Sequence, residues 1–208
     1  MSALPSAKEG YKRCKVPGDL HAHSYTSISL VVEDNLTTMA TAPPFNPIIA
    51  NGGFELGTLF PWIPSDANAA TILNGTGAYA GDYYLGLQTA PGNRANTVHQ
   101  PLHDLNTDST YAISAKVWGP AVSTANYCSA YIYTGENATT GLIASVMIEY
   151  DISERWLDLR GDFTPKAKEE LLYVSAGCTL SGASHTGRLL FDEIKIEIEG
   201  VEEAVLEG

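Results

Sequence analysis

From Pro47 onward, short stretches of alternating apolar and polar residues recur about every 10–15 residues, separated by clusters of Gly, Asn, Asp, Ser and Pro. A period of two sends successive side chains to opposite faces of a strand. Short strands at regular spacing with turn residues between them are typical of an antiparallel β-sandwich. The pattern therefore predicts an all-β fold with no long helix.

Six stretches carry this alternation most clearly. They are Tyr83–Gln88, Tyr111–Trp118, Asn126–Tyr133, Leu142–Tyr150, Leu171–Leu180 and Leu190–Ile198. In the closing stretch Asp192 shares its side with Ile194 and Ile196 if the period holds. A carboxylate on an apolar side needs a metal or hydrogen-bond donors, so Asp192 is a candidate ligand.

Residues 1–47 lack a sustained period and hold one short apolar run, Ile28–Val32, before a Thr/Ala/Pro stretch. This composition predicts a flexible leader, to which the run can add one strand. Residues 200–208 predict an acidic tail.

The charge balance disfavours several classes of binding partner. The 208 residues carry 12 Lys and Arg against 24 Asp and Glu, a net charge of −12. A field of that sign repels phosphate backbones, anionic lipids and acidic polysaccharides. No run approaches the roughly 18 apolar residues of a spanning helix. We expect one domain, acting as a monomer without nucleic-acid or membrane partners.

Signals of cellular location conflict. Residues 1–20 lack the apolar segment of a secretory signal, yet Asn-x-Ser/Thr sequons at Asn35, Asn74 and Asn137 are compatible with export. Either the natural start differs and the protein is extracellular or in a cell wall, or the protein is cytoplasmic with reduced cysteines. We prefer the first explanation.

Cys128 and Cys178 both fall on the core side of their predicted strands. They can form a disulfide if the strands are adjacent or face each other, or remain free and pack as small apolar residues. Cys14 lies in the leader without an evident partner. With no Cys-x-x-Cys pair and no nearby His at ligand spacing, a zinc site is not expected.

Several segments together carry a family signature. They are Asn51–Gly57 followed by Pro61-Trp62, Ala80–Leu85, Ser109–Ser114 and Leu190–Ile196. In order and spacing, residues 48–199 resemble the CenC-type carbohydrate-binding modules, the galactose-binding-like jelly rolls of carbohydrate-binding families four, nine and twenty-two, and in particular single-module secreted proteins of fungi. The resemblance implies a jelly-roll β-sandwich with a non-catalytic glycan-binding role, and paired cysteines in the strands of Cys128 and Cys178.

The resemblance also implies a structural calcium between the first and last strands. Its expected ligands are the Gly53 carbonyl, Glu55, a carbonyl around residues 78–80, and Asp192. Two carboxylates with carbonyls match the oxygen chemistry that calcium prefers. The alternative is that Glu55 and Asp192 accept backbone N–H bonds at loop ends.

Aromatic residues on the non-core faces of the strands are the candidate ligand surface, because Tyr and Trp combine a flat apolar face with a polar atom. The predicted ligand-binding residues are Trp118, Tyr127, Tyr131, Tyr133, Tyr173, Tyr84, Gln88 and Glu149. The leader or a long loop covering this face would instead make the row a second small core. Trp62 and Trp156 follow turns, and we expect both in the core.

The sequence contains no Gly-x-Ser-x-Gly, His-Glu-x-x-His, phosphate loop or dinucleotide fingerprint. This absence favours a role without catalysis, and the resemblance implies a neutral polysaccharide or oligosaccharide as the partner. Two alternatives stay open. One is a jelly roll with an apolar pocket that binds a small molecule and guides a pericyclase-like reaction by shape. The other is a cell-wall or adhesion protein with a protein partner.

Overall fold

The computed structural model describes residues 48–123, 126–181 and 185–199. The predicted leader (1–47, with its Ile28–Val32 run and Cys14) and the acidic tail (200–208) lie outside the described residues. The alternative in which the leader covers an aromatic face thus also falls outside the described residues.

The described residues form ten strands in two antiparallel sheets of five, so the prediction of an all-β sandwich is confirmed. What we call the front sheet has the order β1-β4-β9-β6-β7 and the back sheet the order β2-β3-β10-β5-β8. The strands are β1 Ile63–Pro64, β2 Ala70–Asn74, β3 Tyr83–Gln88, β4 Asn96–Leu102, β5 Tyr111–Trp118, β6 Tyr127–Gly135, β7 Leu142–Ile148, β8 Trp156–Phe163, β9 Glu170–Thr179 and β10 Arg188–Ile198.

Apolar side chains of the two inner faces fill the space between the sheets. Strand β5 shows the principle: Tyr111, Ile113, Ala115 and Val117 are buried while the residues between them are half-buried on the outer face. This packed interior lends no support to the alternative of an apolar ligand pocket between the sheets. Trp62 is 3% exposed and belongs to this core, as predicted.

A disulfide joins Cys128 to Cys178, which are direct register partners on β6 and β9 of the front sheet. The prediction of a disulfide is confirmed over the alternative of two free cysteines. Because the bridge connects adjacent strands, it fastens together the two strands that carry most of the predicted tyrosines.

A β-bulge in β10 overturns the expectation for Asp192. Its register runs from Asp192 opposite Lys116 to Lys195 opposite Ser114, so two residues of β10 face one residue of β5. Glu193, the first of these two residues, takes a left-handed conformation with φ of 50°, as in the G1 class of bulge. Asp192 therefore lies on the outer side of the back sheet, opposite to Ile194, and not on the apolar side with it. It is nonetheless fully buried.

The expectation that Trp156 lies in the core is also wrong. It is half-buried rather than in the core, and it pairs with Trp118 on the outer face of the back sheet. The reason is strand parity: Leu157 and Leu159 of β8 point inward, so Trp156 points outward.

Candidate functional site

Four rings lie side by side on the outer face of the front sheet. Tyr131 and Tyr133 come from β6, with ring centroids 5.9 Å apart, and Tyr173 and His99 from β9 and β4, with centroids 5.2 Å apart. Tyr133 pairs with Tyr173, and Tyr173 pairs with His99, so three of the rings form a row across three neighbouring strands. We call these four residues the tyrosine face.

Local contacts hold the tyrosine face in place. The Tyr173 side chain is 9% exposed, and its hydroxyl donates to the Glu136 carbonyl oxygen at 3.1 Å. Burial raises the pKa of the Tyr133 phenol, with the neighbouring Tyr131 adding to the effect. A phenol is protonated at neutral pH even without this shift, so the Tyr133 hydroxyl can both donate and accept a hydrogen bond.

Small residues border the rings. Tyr131 pairs with Ser175 on β9 and with Ser145 on β7, and Ser129 pairs with Gly177. The Ser129 hydroxyl is buried without a hydrogen-bond partner. The rings therefore lie next to the small side chains of Ser129, Ser145 and Ser175.

The structure divides the predicted ligand-binding residues between opposite sides of the sandwich. Tyr131, Tyr133 and Tyr173 are together on the front sheet, with Tyr127 38% exposed at the start of β6. Glu149 is exposed just beyond the end of β7. The others, Trp118, Tyr84 and Gln88, lie on the outer face of the back sheet because their strand neighbours Val117, Leu85 and Leu87 point into the core.

The outer face of the back sheet has its own aromatic and charged side chains. Tyr79 contacts Trp156 edge-on at 5.9 Å, and the Lys116 ammonium lies 4.4 Å from the centre of the Tyr79 ring. Lys116 also pairs with Asp158 at 2.6 Å. The hydrogen bond between them raises the pKa of Lys116 and lowers the pKa of Asp158. The Lys116 and Asp158 charges are thus paired with each other within the chain.

The predicted calcium ligands converge at the junction of β10 with the loop before β3. Asp192 accepts N–H bonds from Tyr79 at 2.9 Å, Ala80 at 3.1 Å and Glu193 at 2.7 Å. Burial raises the pKa of Asp192 to about 6, although these backbone bonds act in the opposite direction. Glu55 accepts N–H bonds from Asp82 and Tyr83.

Both carboxylates thus make the backbone hydrogen bonds that were the alternative to a metal. Around Gly53, a Cβ built on the backbone would lie 3.1 Å from a Glu193 carboxylate oxygen and 3.9 Å from an Asp192 carboxylate oxygen. In the part of the chain that the structure describes, no three His, Cys, Asp or Glu side chains are grouped to hold a metal by themselves. A cation here would therefore need backbone carbonyl oxygens as well.

His99 is a member of the tyrosine face that the sequence argument missed. Its strand β4 was not predicted, because the inward positions read Val98, Gln100, Leu102, with a polar residue in the middle, and Pro101 follows. Gln100 is 2% exposed and exchanges hydrogen bonds with the backbone of Ala50. Because Gln100 interrupts the apolar alternation, β4 was not predicted, and His99 was missed with it.

Comparisons with known proteins agree with this architecture. Residues 46–181 match CBM_4_9, the family described as carbohydrate binding domain. A CBM61 module solved with β-1,4-galactotriose is 17% identical with a TM-score of 0.51, covering 74% of this chain and 99% of that one. The CBM22-1 xylan-binding domain of Paenibacillus barcinonensis Xyn10C is 20% identical with a TM-score of 0.54, covering 76% and 97%.

An arabinose-bound α-L-arabinofuranosidase is 14% identical with a TM-score of 0.57, and the match covers 74% of this chain but 26% of that one. These solved structures show the same fold. The search of curated proteins finds no match. The described residues contain no helix with the length and hydrophobicity needed to cross a bilayer.

Proposed function

Because the chain belongs to the carbohydrate binding domain family CBM_4_9, we propose that the tyrosine face is the surface on which it binds a neutral glycan, without catalysis. The observation that carries this proposal is the row of rings across β6, β9 and β4 on the outer face of the front sheet, in which Tyr133 and His99 are half-buried and Tyr173 is buried. The finer kinship with CenC-type modules is part of the same proposal.

The chemistry of the tyrosine face suits a sugar ring. The C–H face of a pyranose packs on a flat aromatic ring, and the phenol hydroxyls of Tyr131 and Tyr133 can bond its hydroxyl groups. Both rings are held on a strand rather than on a loop, and both are half-buried, so little side-chain freedom is lost on binding.

A neutral chain is favoured over an acidic one. With a net charge of −12, the protein repels polyanions. The galactotriose and xylan named for the two similar modules are neutral, which makes xylo- and β-1,4-galacto-oligosaccharides the first probes.

Affinity electrophoresis on a panel of neutral polysaccharides tests the proposal with two aromatic truncations on opposite sides of the sandwich. Tyr131→Ala is expected to abolish the retardation shown by the wild type. Trp118→Ala, on the back sheet, is the matched control and should keep it. Retardation lost with Trp118→Ala and kept with Tyr131→Ala would move the site to the back sheet. No retardation of the wild type on any polysaccharide would refute the function.

We also propose that the acidic junction holds a structural calcium, with Glu55, Asp192 and the Gly53 carbonyl as ligands together with a carbonyl around residues 78–80. The convergence of Glu55 and Asp192 beside Gly53 supports it, because two carboxylates together with backbone carbonyls match the oxygen ligands that calcium prefers. Chelation should lower the melting temperature and added calcium should restore it. Identical melting curves with and without chelator would contradict the proposal.

We further propose that the protein is extracellular or in a cell wall, and that it is a monomer. The Cys128–Cys178 disulfide supports the proposed location, because disulfides persist in oxidising compartments. Free-thiol titration of protein from its native source, under denaturing conditions, should detect fewer thiols than the 3 cysteines of the sequence. Full reactivity of all cysteines would argue for a reducing compartment. Light scattering should give the 22.2 kDa mass of a single chain.

A further inference from the structure

A cavity of about 730 Å³ lies beside the tyrosine face, at the end where β6 stops and β9 begins. Gly135 pairs with Leu171, two residues beyond the Tyr133–Tyr173 pair, and Leu171 in turn pairs with Pro101. Residues two apart share a face of the sheet. These three residues, all of which line the cavity, therefore continue the tyrosine face by one step, about 7 Å along the strands.

The floor of the cavity is open and its wall is anchored. A Cβ built on Gly135 would meet no atom within 4 Å, so the chain leaves free space there. The wall on one side is the β6–β7 loop, whose Glu136 carbonyl oxygen accepts the Tyr173 hydroxyl bond. The other side is the segment between β8 and β9, held in place where Glu170 accepts the backbone N–H groups of Lys166 and Ala167.

The lining of the cavity combines apolar and charged residues. Beside Pro101, Ala167 and Leu171 it includes Glu136, Glu169, Lys166 and His103. His103 lies 3.8 Å from Glu169 and both are well exposed. A carboxylate can accept hydrogen bonds from two adjacent hydroxyl groups while an ammonium donates to a third. Neighbouring hydroxyls on one sugar unit fit this set, and the volume is in the range of small-ligand sites.

We propose that this cavity is an additional sugar subsite, which takes the next unit of a neutral glycan by its vicinal hydroxyl groups while the preceding units lie on the tyrosine face. The inference rests on the proposed function of that face. It divides recognition in two: rings bind the sugar planes, and the loop cavity selects the hydroxyl pattern of one unit.

Filling the cavity tests the proposal without disturbing the core. Ala167 is exposed and lines the cavity, so Ala167→Trp occupies the space, while Lys168→Trp on the same segment, exposed and not lining it, is the control. The probes are xylo- and β-1,4-galacto-oligosaccharides of two to six units, titrated calorimetrically. Wild-type affinity should rise with length. Ala167→Trp should lose about tenfold on the hexasaccharide and nothing on the disaccharide, and Lys168→Trp should follow the wild type at every length.

A second variant tests the chemistry rather than the space. Glu136→Gln keeps the size of the side chain and removes its charge, and should weaken the longer probes severalfold with an unchanged melting temperature. If both Ala167→Trp and Glu136→Gln bind all lengths like the wild type while Tyr133→Ala loses them, the cavity is no subsite and the tyrosine face stands. If Tyr133→Ala binds like the wild type, the proposed function fails with it. If the wild type binds neither series, the titrations use oligosaccharides of the polysaccharide that retards it, and no retardation on any polysaccharide overturns both proposals.

Discussion

Reduction of the Cys128–Cys178 disulfide is expected to lower the free energy of unfolding by about 4 kcal/mol. The bridge joins residues 50 apart in the sequence. In the chain-entropy model, a closed loop of that length removes roughly 14 cal/mol/K from the unfolded ensemble, or about 4 kcal/mol at 25 °C. For a domain of this size the loss corresponds to roughly 8–16 °C in melting temperature.

Urea unfolding of the wild type with and without dithiothreitol measures this difference directly. Reduction leaves no cavity, so it isolates the cross-link better than substitution does. The double variant Cys128→Ala with Cys178→Ala should be insensitive to dithiothreitol, whereas Cys14→Ala should respond as the wild type does. Coincident unfolding curves for oxidised and reduced wild type, with reduction verified by thiol titration, would refute the argument.

Two further stability predictions follow from local packing. Ser129→Ala should raise the free energy of unfolding by about 1 kcal/mol, because the Ser129 hydroxyl is buried without a hydrogen-bond partner. Differential scanning calorimetry should show a melting temperature higher by roughly 2–4 °C. A lower melting temperature would mean that the hydroxyl is hydrogen-bonded in solution. Gly161→Ala should destabilise by about 1–3 kcal/mol, because its Cβ would overlap the Ile143 carbonyl oxygen. Gly177→Ala is the control, since its Cβ would meet Ala95 at an ordinary 3.5 Å; equal urea midpoints for the two variants would contradict the prediction.

Strand parity predicted most of the sandwich and the outward direction of three of the four rings of the tyrosine face. Tyr131, Tyr133 and Tyr173 alternate with buried neighbours, so their outward direction follows from sequence alone. The same rule sends Trp118 outward, but it says nothing about which sheet a strand joins. Sheet membership depends on pairing between strands that are distant in the sequence. The residues predicted to form one surface therefore lie on two different sheets, with the tyrosines of β6 and β9 on the front sheet and Trp118 on the back sheet.

Other features depended on local irregularities that have no sequence period. The bulge at Glu193 reverses the parity of β10, which put Asp192 on the wrong side of its strand in the sequence argument. In β4, the buried Gln100 breaks the apolar alternation, because its amide is satisfied by the Ala50 backbone far away in the sequence. Hydrogen bonds between distant residues decide both cases, and neighbouring residues do not reveal them.

The most direct test of the central claim is a ¹H–¹⁵N NMR titration of the intact protein with a neutral oligosaccharide that it binds. The account predicts that the backbone amides of Tyr131, Tyr133 and Tyr173 shift together, while the indole N–H signals of Trp118 and Trp156 stay in place. Shifts confined to those two indoles and their strands, with the tyrosine amides unmoved, would contradict it.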